Sequence, residues 1–410
     1  MQLDELKQWI LADGYQLIVD LDKSHGSRLV DKITGKTYID FCGGFGSNAL
    51  GYNHAAINNS KFMEAARGAL VNKISNSDFY TDEYVEFVKT FATVAMPEGY
   101  KHLFFIDGGA LAVENALKAA FDWKIKKTGV PENDLKVIHF RNAFHGRTGY
   151  TMSMTNTDPN KVLNYPKFDW IRITNDEDVA VTQIISALYN YPKQIAAMII
   201  EPIQCEGGDN HFSKEFLTVL QNICLKNDIL FIIDEVQTGF FTSGKAWTFM
   251  HHDLKPDIVT FGKKSQQCGL FVGPRIGEVV DHVFAKSSRI NSTFGGNLVD
   301  MVRCTYILKE ILSSHLDINA TNMGNYWLEQ MANIKSDQLT NVRGRGLLLA
   351  FDLPDTDIRN KLIDVCYQNG LIVLPCGTNS IRLRPHLAVT KEDMDDAITI
   401  ITKSFAELKN

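Results

Sequence analysis

Ile229-Leu230-Phe231-Ile232-Ile233-Asp234-Glu235-Val236-Gln237-Thr238-Gly239 is the stretch on which the fold turns. Five apolar residues, most of them β-branched, end abruptly in two acids and then a glycine. A short unbroken apolar run of this kind reads as a strand buried on both faces, since a half-exposed strand would alternate with polar residues. Val137-Ile138-His139-Phe140, Ala196-Ala197-Met198-Ile199-Ile200 and Ile258-Val259-Thr260-Phe261 read the same way. Amphipathic stretches, Leu111 to Lys124 and Lys214 to Lys226, lie between them. Strands alternating with helices imply an α/β fold with a mostly parallel sheet covered on both faces.

Outward from this centre the pattern changes. Residues 1–55 combine a short amphipathic helix with the alternating segment Ser27 to Phe41. From about residue 300 a long helical pattern precedes Leu347-Leu348-Leu349-Ala350-Phe351, Leu371-Ile372-Val373-Leu374 and Ile381-Arg382-Leu383. At 410 residues the chain exceeds what one core usually handles. The expected division is a large domain over 56–299 and a smaller α+β domain built from 1–55 together with 300–410.

Composition narrows the class. A net charge of −6 offers no basic stripe for nucleic acid. No run of 18 apolar residues is present, so no membrane span is expected. The acidic start Met1-Gln2-Leu3-Asp4-Glu5-Leu6 does not read as a secretory signal. Seven cysteines are scattered without a CxxC pair, which suits reduced thiols in a cytoplasmic protein and predicts neither disulfides nor a metal site.

In open α/β sheets ligands sit beyond the carboxyl ends of the strands. There the proposed strands deliver Asp234, Gly262-Lys263-Lys264, Glu201-Pro202 and, through Arg141, Phe144-His145-Gly146-Arg147. A further stretch, Leu103 to Ile106, runs into Asp107-Gly108-Gly109-Ala110 and the helix after it, an arrangement that can cradle an anion. The set suits an aromatic, phosphate-bearing cofactor that reacts with a lysine, and pyridoxal phosphate has those properties. Position alone leaves alternatives open. Gly108-Gly109 also fits a plain turn, Asp234 a helix cap, and Lys264 competes with Lys263.

Asp234 to Gly239, with Gly262-Lys263 following 29 residues after Asp234, resembles the signature of the class III (ω-amino acid) aminotransferases. Glu201-Pro202-Ile203-Gln204, Glu206-Gly207-Gly208, Ser292 to Asn297 and Arg343-Gly344-Arg345-Gly346 extend the resemblance over nearly the whole chain. Gly108 to Lys118, Phe144 to Arg147, Phe261 to Lys264, Arg289 to Thr293 and Leu374-Pro375-Cys376-Gly377 are similar to that family's lysine ε-aminotransferase branch. The resemblance implies fold type I of the pyridoxal-phosphate transferases. Where many relatives carry a hydroxyl, Gly108-Gly109-Ala110 has none, so phosphate would rest on the backbone of Gly109 and Ala110, helped by Thr293 from a second subunit.

The same resemblance assigns Lys263 as the cofactor lysine and proton carrier, with Asp234 as the partner of the ring nitrogen. Val236 and Phe144 would flank the ring, and Gln237 would meet its hydroxyl. For the substrate it implies Arg147 as one carboxylate holder, Asn291 as a further contact, and a closed Arg382–Glu206 pair that opens for a dicarboxylate. Arg384, two residues along, could exchange roles with Arg382, and each arginine also fits a structural ion pair. The expected partners are a small-molecule amino donor and 2-oxoglutarate, acted on by a homodimer with shared sites. Under this reading the ε-amino group of L-lysine passes to 2-oxoglutarate, giving 2-aminoadipate 6-semialdehyde and L-glutamate. Ornithine and 4-aminobutyrate are the alternative donors, and a catalytically inactive binding protein is the alternative outside enzymes.

Overall fold

Leu230–Asp234 divides its side chains between two cores. Leu230 and Ile232 belong to one buried cluster, Phe231 and Ile233 to the other. Ala197 and Ile199 oppose Met198 and Ile200 in the neighbouring strand in the same way. That period of two, apolar on both sides, is why the run in the sequence is unbroken.

In the computed structural model, which describes residues 2–408, these strands form a seven-stranded sheet. Its order is Lys101–Ile106, Cys268–Val272, Ile258–Phe261, Leu230–Asp234, Ile195–Ile200, Lys136–Phe140 and Ile171–Ile173. Cys268–Val272 runs antiparallel to both neighbours, and the remaining pairs are parallel. It carried no expectation from the sequence, because it opens on Cys268-Gly269, and glycine is depleted in strands. Ile171–Ile173 was equally silent, being three residues long with Arg172 at its centre.

The helix Gly109–Thr128 buries Val113, Ala116, Ala120 and Trp123 in the cluster it shares with Ile199 and Ile232, and ends at Gly129 in the left-handed conformation. Lys214–Lys226 covers sheet residues through Phe216, Leu217 and Leu220, and Ser213 caps it by accepting from the Phe216 amide.

Two smaller sheets use the chain ends. Arg28–Val30 pairs with Thr37–Asp40, and Leu371–Ile372 joins the latter in parallel, so both ends of the chain share one sheet. Thr340–Arg345, Leu348–Asp352, Ser380–Leu383 and Leu374–Cys376 form an antiparallel four-stranded sheet. The helix Leu298–Ser313 packs on Ser60–Val71 and Asp82–Val94 and is capped by Asn297. A boundary after residue 299 therefore falls inside its first turn. Among the described residues no helix is long and apolar enough to cross a membrane.

Candidate active site

Strand ends set the site. Asp234 closes Leu230–Asp234, Lys263 stands two residues beyond Phe261, and Glu201 follows Ile200 directly. The parallel register Thr260↔Asp234 places the first two on adjacent strands. A cavity of about 370 Å³ opens at this edge, within the range of small-molecule sites. Gly109, Ala110, Phe144, Arg147, Asp234, Val236, Gln237 and Lys263 all line it. A larger cleft of about 740 Å³, lined by Asn142, Asp209, His211 and Arg343 among others, contains none of these groups and no lysine.

Asp234 is 4% exposed and held from three directions. Its Oδ2 lies 2.7 Å from His145 Nδ1, while Oδ1 accepts from Thr260 Oγ1 at 3.0 Å and from the Val236 amide at 3.1 Å. A buried carboxylate so bound is aimed and kept ready to face a cation. Glu201, also lining the cavity, accepts from the Phe144 amide at 2.9 Å. Burial, and then the nearby Asp234, push its carboxyl well above the usual range.

The two lysines part company. Lys263 reaches the cavity and donates to the Phe45 carbonyl at 3.1 Å. Burial, with the Arg382 charge second, pushes its amine down to about 8. Lys264 is 2% exposed, does not line the cavity, and donates to the Gly46 carbonyl at 3.3 Å. Lys263 has φ +55°, in the left-handed region.

The helix Gly109–Thr128 points its start at the cavity. Gly108 gives it no side-chain cap, and the first bond back to Gly108 comes from Ala112. The amides of the first turn therefore remain for an anion. A Cβ at Gly109 would stand 2.7 Å from Val236 Cγ1, so glycine here lets the cavity wall close on the helix start. Bare amides, a buried carboxylate, apolar flanks from Val236 and Phe144 and a reachable lysine fit pyridoxal phosphate. Among the described residues no group of three or more His, Cys, Asp or Glu side chains could hold a metal ion.

The substrate side departs from expectation. The Glu206–Arg382 ion pair is not formed: Glu206 binds the Lys161 ammonium and the Thr157 hydroxyl instead, the latter at 3.1 Å. Burial raises the Glu206 carboxyl, but Lys161 outweighs it, and Arg382 adds to the lowering from nearby. Arg382 Nη1 donates to Gln237 Oε1 at 3.0 Å, and Arg382 Nε is buried without a partner. Arg384, 0% exposed, is clamped by both oxygens of Asp209 at 2.6 and 2.8 Å. That bidentate bond makes it structural. Arg147 is exposed, lines the cavity, and lies 5.8 Å from the Phe144 ring centroid. Thr293 and Asn291 lie outside the cavity on an exposed segment fastened to residues 75–77 through Ser75, Asn76 and Ser77.

His145 and Glu201 were present in the motifs but carried no assigned role. Their position beyond strand ends was the available signal. Lys161 had none, because it sits in a loop turn 45 residues from Glu206.

The class-III aminotransferase family matches residues 10–405. L-lysine-epsilon aminotransferase of Amycolatopsis lactamdurans is 46% identical, over 98% of this chain and 94% of its own length. 4-aminobutyrate aminotransferase of Saccharomyces cerevisiae is 32% identical, over 99% of this chain and 94% of its own. The solved structure of lysine aminotransferase from Mycobacterium tuberculosis, in the internal aldimine form, superposes with a TM-score of 0.96 at 43% identity, covering 99% of this chain and 98% of that one.

Proposed function

The chain belongs to the class-III aminotransferases, and from that premise we propose that it moves the ε-amino group of L-lysine to 2-oxoglutarate, giving 2-aminoadipate 6-semialdehyde and L-glutamate. The observation that carries the reading is the convergence of Lys263, Asp234 and an uncapped helix start on one cavity. The greater similarity to L-lysine-epsilon aminotransferases than to 4-aminobutyrate aminotransferase supports lysine as donor.

Pyridoxal phosphate, when bound, supplies a carbonyl that condenses with primary amines and a ring that accepts their electrons. The chain does the rest. Amides of Gly109 and Ala110 hold the phosphate, completed by Thr293 of a second copy in a homodimer. Val236 and Phe144 fix the ring plane. Asp234, itself fixed by His145 and Thr260, would face the ring nitrogen and favour its protonated form. Gln237 spends its amide oxygen on Arg382, with Arg384 Nε 3.4 Å away, and among the described residues no hydrogen bond engages its amide nitrogen, which is left for the ring hydroxyl.

Lys263 would hold the cofactor, and its Nζ would accept and return the substrate's proton. A lowered amine pKa suits this work, because the free base is present near neutral pH. Arg147, exposed at the mouth and without an ion pair among the described residues, takes the carboxylate remote from the reacting carbon, and Asn291 adds a contact from the exposed segment. Arg382 takes the second carboxylate of 2-oxoglutarate. Glu206, held by Lys161, is drawn toward Arg382 when an uncharged methylene chain fills the space.

The seven cysteines are all free thiols, which suits the cytoplasmic location we propose. We propose two domains, a large one from residue 56 and a smaller one built from both chain ends, with the boundary expected after residue 299 moved out of the helix Leu298–Ser313. The test is a half-reaction: L-lysine, L-ornithine or 4-aminobutyrate is added singly to purified, cofactor-loaded protein and the visible cofactor band is followed. Fast bleaching by lysine is expected. Fast bleaching by another donor with lysine inert would replace the substrate and keep Lys263.

A further inference from the structure

Three side chains of the turn that bears Lys263 hold three successive carbonyls of another turn. Lys263 donates to Phe45 at 3.1 Å, Lys264 to Gly46 at 3.3 Å, and Gln266 Nε2 to Ser47 at 2.8 Å. The receiving turn is itself unusual. Gly43, Gly44, Phe45 and Gly46 all have left-handed φ values, 55°, 57°, 57° and 84°. A left-handed run is disfavoured for L-residues, so it persists only where its surroundings impose it.

One side of the turn is fixed by the small sheets. Asp40 accepts from the amides of Cys42 and Gly43 at 3.1 and 2.8 Å. A Cβ at Gly43 would stand 2.2 Å from the Arg384 carbonyl oxygen, so the chain passes there only as glycine. The carbonyls of Phe45, Gly46 and Ser47 on the other side are held by the lysine-bearing turn, while the amides of Phe45 and Gly46 turn back on Cys42. Phe45, between the two, is 55% exposed.

Lys264 is the anomaly. It is almost wholly buried on a single long hydrogen bond, and burial, then Arg384, push its amine down to about 7. A buried amine so poorly satisfied works against the fold, and an apolar side chain of similar length would serve stability better. What its bond does gives this lysine a use. Resting on the reading of Lys263 as the cofactor lysine, we propose that Lys264 is a positioning residue: it pins the Gly46 carbonyl so that the adjoining Phe45 carbonyl receives the Lys263 amine whenever that amine is not bonded to the cofactor. The docked amine stays at the cavity wall, oriented for its next transfer. Gln266 fastens the same turn one carbonyl further on.

The experiment compares cofactor-loaded wild type with Lys264→Met and Gln266→Ala, using the fastest amino donor. Borohydride reduction and peptide mapping first locate the cofactor, expected on Lys263 throughout. In Lys264→Met, kcat falls roughly tenfold or more, as for a misplaced reacting group. KM stays within about twofold, since no substrate contact is lost, and the thermal midpoint is equal to or above wild type. Unchanged kcat, or a kcat loss accompanied by a lowered midpoint, overturns the proposal. If Lys264→Met does not fold, Gln266→Ala decides: a fall in kcat of about threefold at constant KM supports the pinned turn, and no change overturns it. Cofactor mapped to Lys264 in the wild type overturns instead the reading of Lys263.

Discussion

The carboxyl edge of the seven-stranded sheet and the strand Ser380–Leu383 meet at Gln237, yet they are finished to different degrees. At the sheet edge both acids have their partners within the chain: Asp234 on His145, Thr260 and Val236, and Glu201 on Phe144. On the arginine side the partners are exchangeable. Glu206 rests on Lys161, Arg382 on an amide oxygen with its Nε unmatched, and Arg147 stands open at the mouth. Backbone register fixes the one, and long side chains with several possible partners make up the other. Chemistry common to many amines calls for the first arrangement, and discrimination between substrates that alternate in one site calls for the second. Arg384 is the exception that defines the rule, because Asp209 removes it from exchange.

The sharpest way to break the contrast is at its rigid pole. Lys263→Ala should remove the covalently attached cofactor and lower turnover by ~10³-fold or more, the scale of losing a proton-transfer group together with its anchor. Retention of a borohydride-fixed cofactor in that variant would overturn the assignment. Next in size is Asp209→Ala, which strands the buried Arg384 guanidinium. Urea unfolding should show a loss of about 3–5 kcal/mol, the scale of a broken buried pair. A change below ~1 kcal/mol would return Arg384 to the exchangeable side.

The smallest effect is on pH. With its amine at about 8 rather than the ordinary 10.5, Lys263 gains its free base as pH rises through 8. Attachment of cofactor to the apoprotein should then accelerate about tenfold per pH unit below 8 and level off above it. An ordinary lysine would go on accelerating to beyond pH 10. Between about 8 and 10.5 the unfolded chain holds this proton and the folded chain does not, so the contribution to stability rises with pH across that window.

How much the sequence disclosed follows the same division. Ile258–Phe261 and Lys214–Lys226 match their expected bounds, since an unbroken apolar run and a 3.6-residue period are local signals. Asp234 and Lys263 were visible as strand-end residues, but preferring Lys263 to Lys264 needed the family resemblance. Only the folded turn shows one amine at the cavity and the other facing Gly46. His145 meets Asp234 across 89 residues, and Lys161 meets Glu206 from a loop, so no periodicity could announce either pair. Arg382 and Arg384 looked equivalent by alternation. They differ because Ser380–Leu383 ends before Arg384, whose side chain is taken by Asp209.

Lys263 occupies a left-handed backbone position, a conformation that glycine adopts freely and lysine only at a penalty of about 1–2 kcal/mol. Fold and chemistry thus compete for a single codon. A glycine here would relieve that penalty and remove the amine in one change, so backbone ease and reactivity cannot both be had at this position.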